Sequence, residues 1–313
     1  MARLSSNAHP IITDDEISAV VEVLKSGQLD GFMGNPLGFL GGPKVKKFEA
    51  AFADKFLTSH AVSFNSCTSA LHAACVAVGI KEGDEVIVSP FSFTASAKCV
   101  LMAGGKPVFA DINEDTFSIS RETIEPLLTK RTVAVIPVHL CGHPADMEDI
   151  NRLAREYDLR VIEDSAQAIG AQIDGRYTGT LGDSGCFSFG APKTITTGTG
   201  GMLITEDKDI AYIAQCVRNH GEMVGWKGIG YNYRLPEMGA ALGIVQLGKL
   251  EYLNSERIKL CNHLTERLKV ISEIIPPIVK PGYVHTYYTY AVRLREGVDR
   301  VGLVDYLTAK GIY

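Results

Sequence analysis

The sequence has no excess of basic side chains, no long apolar run and no cysteine framework. Its 313 residues include 31 lysines and arginines against 36 aspartates and glutamates, a formal net charge of −5. Without a basic excess the chain has little with which to neutralise phosphates, which argues against a dedicated nucleic-acid binder. No stretch approaches the roughly 20 apolar residues that span a bilayer, and residues 1–10 lack the apolar segment of a signal peptide. We expect no nucleic-acid or membrane partner.

Cysteine is present, but not in the pattern of a disulfide scaffold. The seven cysteines are odd in number and widely scattered, which fits a reducing compartment and leads us to expect a cytoplasmic protein. Hydrophobic residues make up 46% of the chain and charged residues 21%, so a disordered chain is excluded. The length suits two average domains, or one large α/β domain with a satellite.

The N-terminal part predicts two helices separated by a glycine-rich loop. Thr13 followed by Glu16 is a capping-box pattern that begins the first helix. Residues 27–42 include six glycines and form either a linker or an active-site loop that borders the substrate. A second helix is predicted from Pro43. The apolar faces of these helices are Ile17, Val20, Val21 and Leu24 in the first, and Val45, Phe48, Phe52 and Phe56 in the second.

Apolar segments then alternate with helix-like segments. The predicted strands are residues 61–64, 85–89, 107–110, 133–138, 161–162, 186–189 and 202–205. The predicted helices between the first five strands are residues 71–78, 94–102, 122–128 and 146–157. Continuous apolar strands that alternate with helices indicate an α/β fold, with a largely parallel sheet covered on both faces.

This rhythm ends near residue 252. Helices are predicted at 236–250, 251–274 and 301–309, and the alternation at 286–294 predicts a half-exposed strand. We therefore predict a large domain over residues 1–251 and a smaller C-terminal domain over residues 252–313.

Ligands of open α/β sheets bind outside the carboxyl ends of the strands, so the residues that follow each strand are the first candidates for a site. The strand at 61–64 is followed by Asn65–Leu71 (NSCTSAL), a run of small hydroxylated residues that opens a helix. Free N–H groups and hydroxyls at a helix N-terminus can bind a phosphate. Ordinary serine and threonine capping explains the same pattern.

A carboxylate and a lysine follow two other strands. Asp164 follows the strand at 161–162, and a carboxylate there is costly to bury without a partner; a helix cap or a surface salt bridge is the alternative. Lys193 lies between an aromatic strand and a glycine-threonine loop, where a buried amine can act as a Schiff-base lysine. A solvated lysine is the alternative for this residue taken alone.

Together, the three signals fit one cofactor, pyridoxal phosphate. Its phosphate needs an anchor, its pyridine nitrogen needs a carboxylate that keeps it protonated, and its aldehyde needs a lysine that holds it as an imine and moves protons. Because all three features follow strands of one predicted sheet, they would meet at a single site.

Four segments carry a resemblance to a known family. NSCTSAL at 65–71, EDSAQAIG at 163–170, FSFGAPKTITTGTGG at 187–201 and GYNYRL at 230–235 resemble the DegT/DnrJ/EryC1/StrS sugar aminotransferases. The resemblance covers nearly the whole chain. It implies the fold-type I architecture of pyridoxal-phosphate enzymes, a homodimer with shared active sites, and amination of a keto sugar, usually nucleotide-linked, with glutamate as the amino donor.

The resemblance also implies roles for particular residues. Lys193 matches the Schiff-base lysine, and Asp164 matches the carboxylate that faces the pyridine nitrogen. The other matches are Gln167 near the ring hydroxyl, Phe93 stacked on the ring, Thr68, Ser69 and Ser188 at the phosphate, and Asn232 at the phosphate across the dimer interface, with Arg234 as a competing assignment for that last contact.

The chain departs from the family pattern in two places. Thr199 stands where the family has a glutamate before its paired glycines, and the chain stops at Tyr313, inside what should be the smaller domain. We therefore expect a reduced or incomplete C-terminal domain. A non-catalytic sensor or partner subunit that binds cofactor or sugar is the alternative function. Dehydratases of the same family replace the lysine with histidine, so Lys193 argues against that activity.

Two further patterns in the sequence resemble ligand sites. His139, Cys141 and His143 crowd the end of a strand, but their spacing fits no standard zinc pattern. We interpret them as a turn packed beside the cofactor pocket and predict no metal. The sequence GTGG at 198–201 lacks the spacing of a dinucleotide-binding loop and leads into a strand. The single tryptophan, Trp226, could contact substrate or a partner subunit.

Overall fold

Helices and strands alternate through the computed structural model, which describes residues 11–33, 38–223 and 225–312. The α-helices are α1 (Asp14–Ser26), α2 (Pro43–Phe56), α3 (Cys67–Ala77), α4 (Ala95–Met102), α5 (Arg121–Ile124), α6 (Met147–Tyr157), α7 (Lys208–Arg218), α8 (Glu237–Gly248), α9 (Leu250–Leu268) and α10 (Arg300–Ala309). The strands are β1 (His60–Phe64), β2 (Glu85–Val88), β3 (Lys106–Phe109), β4 (Thr132–Ile136), β5 (Arg160–Asp164), β6 (Gln172–Ile173), β7 (Arg176–Tyr177), β8 (Ser184–Ser188), β9 (Gly201–Thr205), β10 (Ile274–Ile275), β11 (Tyr283–Val284) and β12 (Arg293–Leu294). No helix among these described residues is long and apolar enough to cross a membrane.

A seven-stranded sheet has the order β1-β9-β8-β5-β4-β2-β3. Strand β9 is antiparallel to both its neighbours, β1 and β8. The remaining neighbours pair in parallel. Strands β1 and β8 therefore run in the same direction as the parallel strands, and their carboxyl ends lie at one edge of the sheet. The predicted α/β fold with a mostly parallel sheet is confirmed.

Helix α2 packs an aromatic face against the sheet at strand β8. Its predicted apolar residues Val45, Phe48, Phe52 and Phe56 are all buried. The ring of Phe52 lies 5.2 Å from that of Phe187 in β8 and 5.7 Å from that of Phe189, between ring centroids. These edge-on contacts hold the end of β8, the strand that leads towards Lys193, against a rigid support.

The first helix has its predicted bounds but not its predicted orientation. Thr13 and Glu16 form the capping box, and Gly27 ends α1 in the left-handed conformation. The predicted apolar stripe faces outward, however, with Ile17 54% and Leu24 53% exposed. The residues that α1 buries are Val23 and Glu16. Glu16 accepts hydrogen bonds from Gln246 and Lys249 at the end of α8.

The C-terminal part differs most from prediction. The strand predicted at 286–294 is wrong except for β12, since residues 285–292 are irregular. Its alternating aromatic residues pack on one another instead of pairing in a sheet: the His285 and Tyr287 rings stack at 3.9 Å between centroids. Helix α7, capped by the Asp207 carboxylate, and the β6–β7 hairpin were not predicted. The division into residues 1–251 and 252–313 falls within α9 and stays a prediction.

Residues 285–289 lie directly across the turn at Gly142. The Gly142 carbonyl accepts the Thr286 N–H at 3.0 Å, and the Cys141 carbonyl accepts the Thr289 N–H at 3.3 Å. Gly142 has φ +96°, and a Cβ atom built there would lie 2.7 Å from Thr286 Oγ1 and 2.8 Å from the Tyr287 nitrogen. Only glycine allows both this backbone conformation and this approach.

Replacing Gly142 with alanine should therefore destabilise the protein by about 2–4 kcal/mol, from left-handed strain and from displacement of residues 285–289. Gly175→Ala is the matched control, because Gly175 also has a positive φ, +79°, but no atom lies within 4 Å of its built Cβ. Urea unfolding of both variants measures the difference. Equal losses of unfolding free energy in the two variants would mean that the close approach of residues 285–289 to Gly142 contributes nothing to the effect.

Glu16 forms a buried ionic contact between α1 and the end of α8. Lys249 Nζ donates to Glu16 Oε1 at 2.6 Å, and Gln246 Nε2 donates to the same oxygen at 2.7 Å. Burial on its own would raise the pKa of Glu16, but hydrogen bonds from Lys249, Thr13 and Gln246 outweigh it and lower the pKa to about 2. The ionised carboxylate thus stabilises the folded state.

Glu16→Gln should lower the free energy of unfolding at pH 7 by about 1–3 kcal/mol. Because the folded-state pKa lies below the unfolded value, the contribution is complete above about pH 5 and is lost as the pH falls towards 2. Unfolding of wild type and variant across this range should therefore converge at low pH. Glu22→Gln, at a carboxylate that is 70% exposed, is the control and should change little. A constant difference at every pH would contradict the assignment.

Candidate active site

The carboxyl ends of β1, β5 and β8 border a cavity of about 430 Å³. This volume is within the range of small-molecule and cofactor pockets. Among the described residues that line it are six of those predicted from sequence, namely Thr68, Phe93, Asp164, Gln167, Ser188 and Lys193. The lysine and the carboxylate predicted to serve one cofactor therefore face the same cavity.

Asp164 is a buried carboxylate held at the last position of β5. Ser96 Oγ, in the first turn of α4, donates to Asp164 Oδ2 at 2.7 Å, and the Ala166 N–H donates to Oδ1 at 3.1 Å. Two hydrogen bonds satisfy only part of the accepting capacity of a carboxylate. A cationic N–H in the cavity would be a third donor, which is the role that a protonated pyridine nitrogen fills.

The adjacent Glu163 points to the other face of the sheet and is fully satisfied. It accepts the backbone N–H groups of Gly179, Leu181 and Gly182 at 2.6–2.7 Å. His139 Nε2 lies 2.8 Å from Glu163 Oε2, while His139 Nδ1 accepts the Ala145 N–H at 2.9 Å. These partners place the ring proton on Nε2 and commit the imidazole to a structural pair.

The turn at 139–143 packs beside the cavity, as predicted. The Cys141 N–H donates to Gln167 Oε1 at 2.9 Å, which leaves the amide nitrogen of Gln167 as the donor available to a ligand. His143 Nδ1 lies 2.7 Å from the Pro144 carbonyl oxygen, to which it donates. Burial lowers the pKa of His143 to about 4, so this ring is neutral.

The start of α3 forms the hydroxyl-rich end of the cavity. Ser66 caps the helix by accepting the Ser69 N–H at 3.1 Å, and Ser69 Oγ donates to Asn65 Oδ1 at 2.7 Å. Ser69 thus braces the turn and does not line the cavity. Thr68 and Ser188 do line it, so two hydroxyls and the positive end of a helix dipole face the same space.

Lys193 is fixed on its backbone side by contacts within its loop. Its N–H donates to the Gly190 carbonyl at 2.9 Å. The next residue, Thr194, accepts a hydrogen bond at its hydroxyl from Arg257 Nη1 of α9, at 2.6 Å. At the far end of the loop, Thr199 Oγ1 donates to the Asn65 carbonyl at 3.1 Å. Thr199 therefore ties the lysine loop to the turn that begins α3.

Asn232 lies near this turn but outside the cavity of its own chain. Its carbonyl accepts the Asn65 side-chain amide at 3.3 Å, and its Oδ1 accepts the Arg234 Nε–H at 2.9 Å. Neither Asn232 nor Arg234 lines the cavity. None of the described residues of the loop at 27–42 lines it either, and Gly34 of that loop lies outside the described residues. Trp226 packs against Gly221 and Gly228.

Four residues at or behind the cavity were not predicted from the sequence. Tyr288 and Cys67 line the cavity, whereas Ser96 and Arg257 lie behind it and contact Asp164 and Thr194. Ser96 follows Phe93 by three residues and could have been found as a polar side chain in the first turn of the helix after a strand. Tyr288 and Arg257 are 95 and 64 residues from Lys193 in the sequence, and no local pattern connects them to it. Cys67 lines the cavity, and burial, reinforced by the Asp164 carboxylate, raises the pKa of its thiol well above the ordinary value.

These residues fit pyridoxal phosphate. The start of α3 with Thr68 and Ser188 suits the phosphate, Asp164 has accepting capacity left for the pyridine nitrogen, and the Gln167 amide can donate to the ring hydroxyl. Phe93 supplies an aromatic wall that is 73% exposed in this chain, which suits a flat ring. The protonated Cys67 thiol is a weak nucleophile and does not compete with Lys193 for an aldehyde.

Three known proteins are similar to this chain over most of its length. A GDP-perosamine synthase from Caulobacter vibrioides is 38% identical over 87% of this chain and 75% of its own length. The aminotransferase TlmJ from Streptoalloteichus hindustanus matches with a TM-score of 0.89 and 32% identity, over 97% of this chain and 82% of that one. A GDP-4-keto-6-deoxymannose-3-dehydratase with a trapped PLP-glutamate geminal diamine matches with a TM-score of 0.89 and 28% identity, over 98% and 84%.

A family model extends this similarity to nearly the whole chain. The model described as the DegT/DnrJ/EryC1/StrS aminotransferase family matches residues 10–313. The match includes the segments that form the cavity and the helices behind them. The chain therefore belongs to the DegT/DnrJ/EryC1/StrS aminotransferase family, with the fold-type I architecture and with pyridoxal phosphate as its cofactor.

Proposed function

We propose that this sugar aminotransferase converts a nucleotide-linked keto sugar into an amino sugar, with glutamate as the amino donor. The observation that carries the proposal is the presence of Lys193 and Asp164 on one cavity whose other end is rich in hydroxyls. The names of two similar proteins support the details. One is a GDP-perosamine synthase, and the other was solved with a PLP-glutamate adduct.

In this proposal Asp164 and Lys193 perform the proton chemistry. Pyridoxal phosphate, when bound, supplies an electron sink for the carbon that loses a proton. Asp164, oriented by Ser96 and by the Ala166 N–H, holds a proton at the pyridine nitrogen and so maintains the positive charge of the ring. Lys193 Nζ would take the proton from the α-carbon of the amino donor and return it to the cofactor carbon that carries the aldehyde.

The other lining residues bind and orient. Thr68 and Ser188 would donate hydroxyl hydrogen bonds to the phosphate, and the start of α3 would add its dipole. Phe93 covers one face of the ring, and the Gln167 amide, fixed by the Cys141 N–H, donates to the ring hydroxyl. These residues would hold the cofactor so that Lys193 can reach the reacting carbon, and such positioning is a main contribution of a protein to cofactor chemistry.

Lys193 should be the residue that reacts with the cofactor. Borohydride reduction of the loaded enzyme should attach the cofactor covalently to the peptide that contains Lys193, detected by mass spectrometry. Glutamate should change the visible absorbance of the wild-type enzyme. Lys193→Ala should slow this change by about 10²–10⁴-fold, the usual contribution of a positioned acid-base group.

Lys208→Ala is the control, because Lys208 is exposed at the start of α7, and it should react like wild type. Covalent label on another lysine would contradict the assignment of Lys193. A loaded wild-type protein that does not respond to glutamate or to other amino acids would favour the non-catalytic sensor. Conversion of a nucleotide-linked keto sugar into the nucleotide-linked amino sugar, without conversion of the free keto sugar, tests the substrate class.

We also infer a homodimer in which Asn232 completes the phosphate site of the partner. Asn232 is exposed and outside its own cavity, although it lies beside Asn65. The outward apolar residues of α1, among them Ile17 and Leu24, are exposed in the single chain. Burial of such a face against a second copy would be favourable. We further infer a cytoplasmic location, which the seven free cysteines support.

Mixed variants can test whether Asn232 acts in trans. A mixture of Lys193→Ala and Asn232→Ala subunits should regain about a quarter of wild-type activity at limiting cofactor, because half of the dimers are hybrids with one intact site. Light scattering should give the mass of a dimer. Each variant alone is the control. Absence of recovery in a mixture that exchanges subunits would place Asn232 outside the partner's site.

A further inference from the structure

The amine of Lys193 lies against an aromatic ring from the C-terminal part of the chain. Its Nζ atom is 4.1 Å from the centroid of the Tyr288 ring, and both residues line the cavity. A cation within about 6 Å of a ring centroid is attracted by the ring quadrupole. Within the described part of the chain, Lys193 forms no ion pair with a carboxylate, so this ring is the group that contacts the ammonium.

The Tyr288 ring is held in place by its backbone neighbours. Thr286 and Thr289, on either side, donate their N–H groups to the carbonyls of Gly142 and Cys141. The same turn orients Gln167 through the Cys141 N–H. These hydrogen bonds fix the Tyr288 segment relative to the turn at 139–143 and to Gln167, which lines the cavity.

The aromatic face, and not the phenol group, makes the contact. The Tyr288 hydroxyl has no hydrogen-bond partner among residues 11–33, 38–223 and 225–312. Phenylalanine at this position would keep the ring face, and its missing hydroxyl would cost no hydrogen bond to the described residues. Leucine would keep an apolar side chain and lose the quadrupole. These two substitutions separate the cation–π contact from simple packing.

We propose that Tyr288 is a positioning residue that holds the Lys193 ammonium against the cavity wall before the cofactor is loaded. The proposal rests on the proposed function, since it concerns the same lysine. Arg257 restrains the lysine on its backbone side through Thr194, and Tyr288 restrains it at the charged end. Both restraints come from residues beyond α8, so the C-terminal part of the chain contributes to the position of the Lys193 amine.

The test measures the reactivity of one amine in the cofactor-free protein. Wild type, Tyr288→Phe and Tyr288→Leu are treated briefly with an acylating reagent near neutral pH, and labelling of Lys193 is quantified by mass spectrometry relative to Lys208. Tyr288→Leu should increase Lys193 labelling about two- to fivefold, the population change expected for a cation–π contact of this kind. Tyr288→Phe should label like wild type.

Two further measurements separate positioning from a structural effect. At strongly alkaline pH, where amines carry no charge, the difference between wild type and Tyr288→Leu should disappear; a ring that merely shields the amine would slow labelling at every pH. Tyr290→Leu is the matched control, because Tyr290 lies in the same segment and contacts Thr265 instead of the cavity. It should label like wild type.

Equal labelling of wild type and Tyr288→Leu would overturn the proposal, as would an increase in Tyr288→Phe or in Tyr290→Leu as large as that in Tyr288→Leu. These measurements need no cofactor and no turnover. A failure of the aminotransferase proposal would instead appear as covalent cofactor on a lysine other than Lys193, so the two failures are distinguishable.

Discussion

A carboxylate buried at the end of a parallel strand is the constraint on which the rest of the site depends. Charge is costly to remove from water, and Asp164 keeps its place because Ser96 and the Ala166 N–H donate to it. The charge of Asp164 also acts on the Cys67 thiol. Burial, and then this carboxylate, raise the pKa of that thiol. In the proposed function, the protonated ring nitrogen of the cofactor would be the third donor to this carboxylate. Asp164 would then contribute both to cofactor binding and to the positive charge of the ring.

Much of this arrangement could be predicted from sequence because it is local. Each strand that ends at the site is short, and a residue that lines the cavity lies at its end or a few positions beyond it, as with Asp164 at the end of β5 and Thr68 four residues after β1. Parallel strands bring such positions to one edge regardless of what separates them in the chain. The helix bounds at Gly27 and Pro43 likewise follow from capping and from backbone preferences.

What could not be predicted depends on tertiary contacts. The alternation at 286–294 resembles a strand, but its aromatic residues stack on one another and cross Gly142 without forming a ladder. The orientation of α1 does not follow from its apolar stripe, because the helix turns Glu16 inward to Gln246 and Lys249, which lie more than 200 residues away in the sequence. Tyr288 contacts Lys193, and Arg257 contacts the adjacent Thr194, from distant parts of the chain. Periodicity carries no information about such partners.

The neighbouring acids of β5, Glu163 and Asp164, have different surroundings. Glu163 is surrounded by backbone N–H groups and His139, whereas Asp164 faces the cavity with room for a ligand. Side chains alternate between the faces of a strand, and the pairing of Glu163 with Gly185 and of Asp164 with Cys186 decides which acid is where. A shift of β5 by one position would turn Glu163 towards the cavity and Asp164 away from it. The hydrogen-bond register of the sheet therefore specifies which carboxylate lines the cavity.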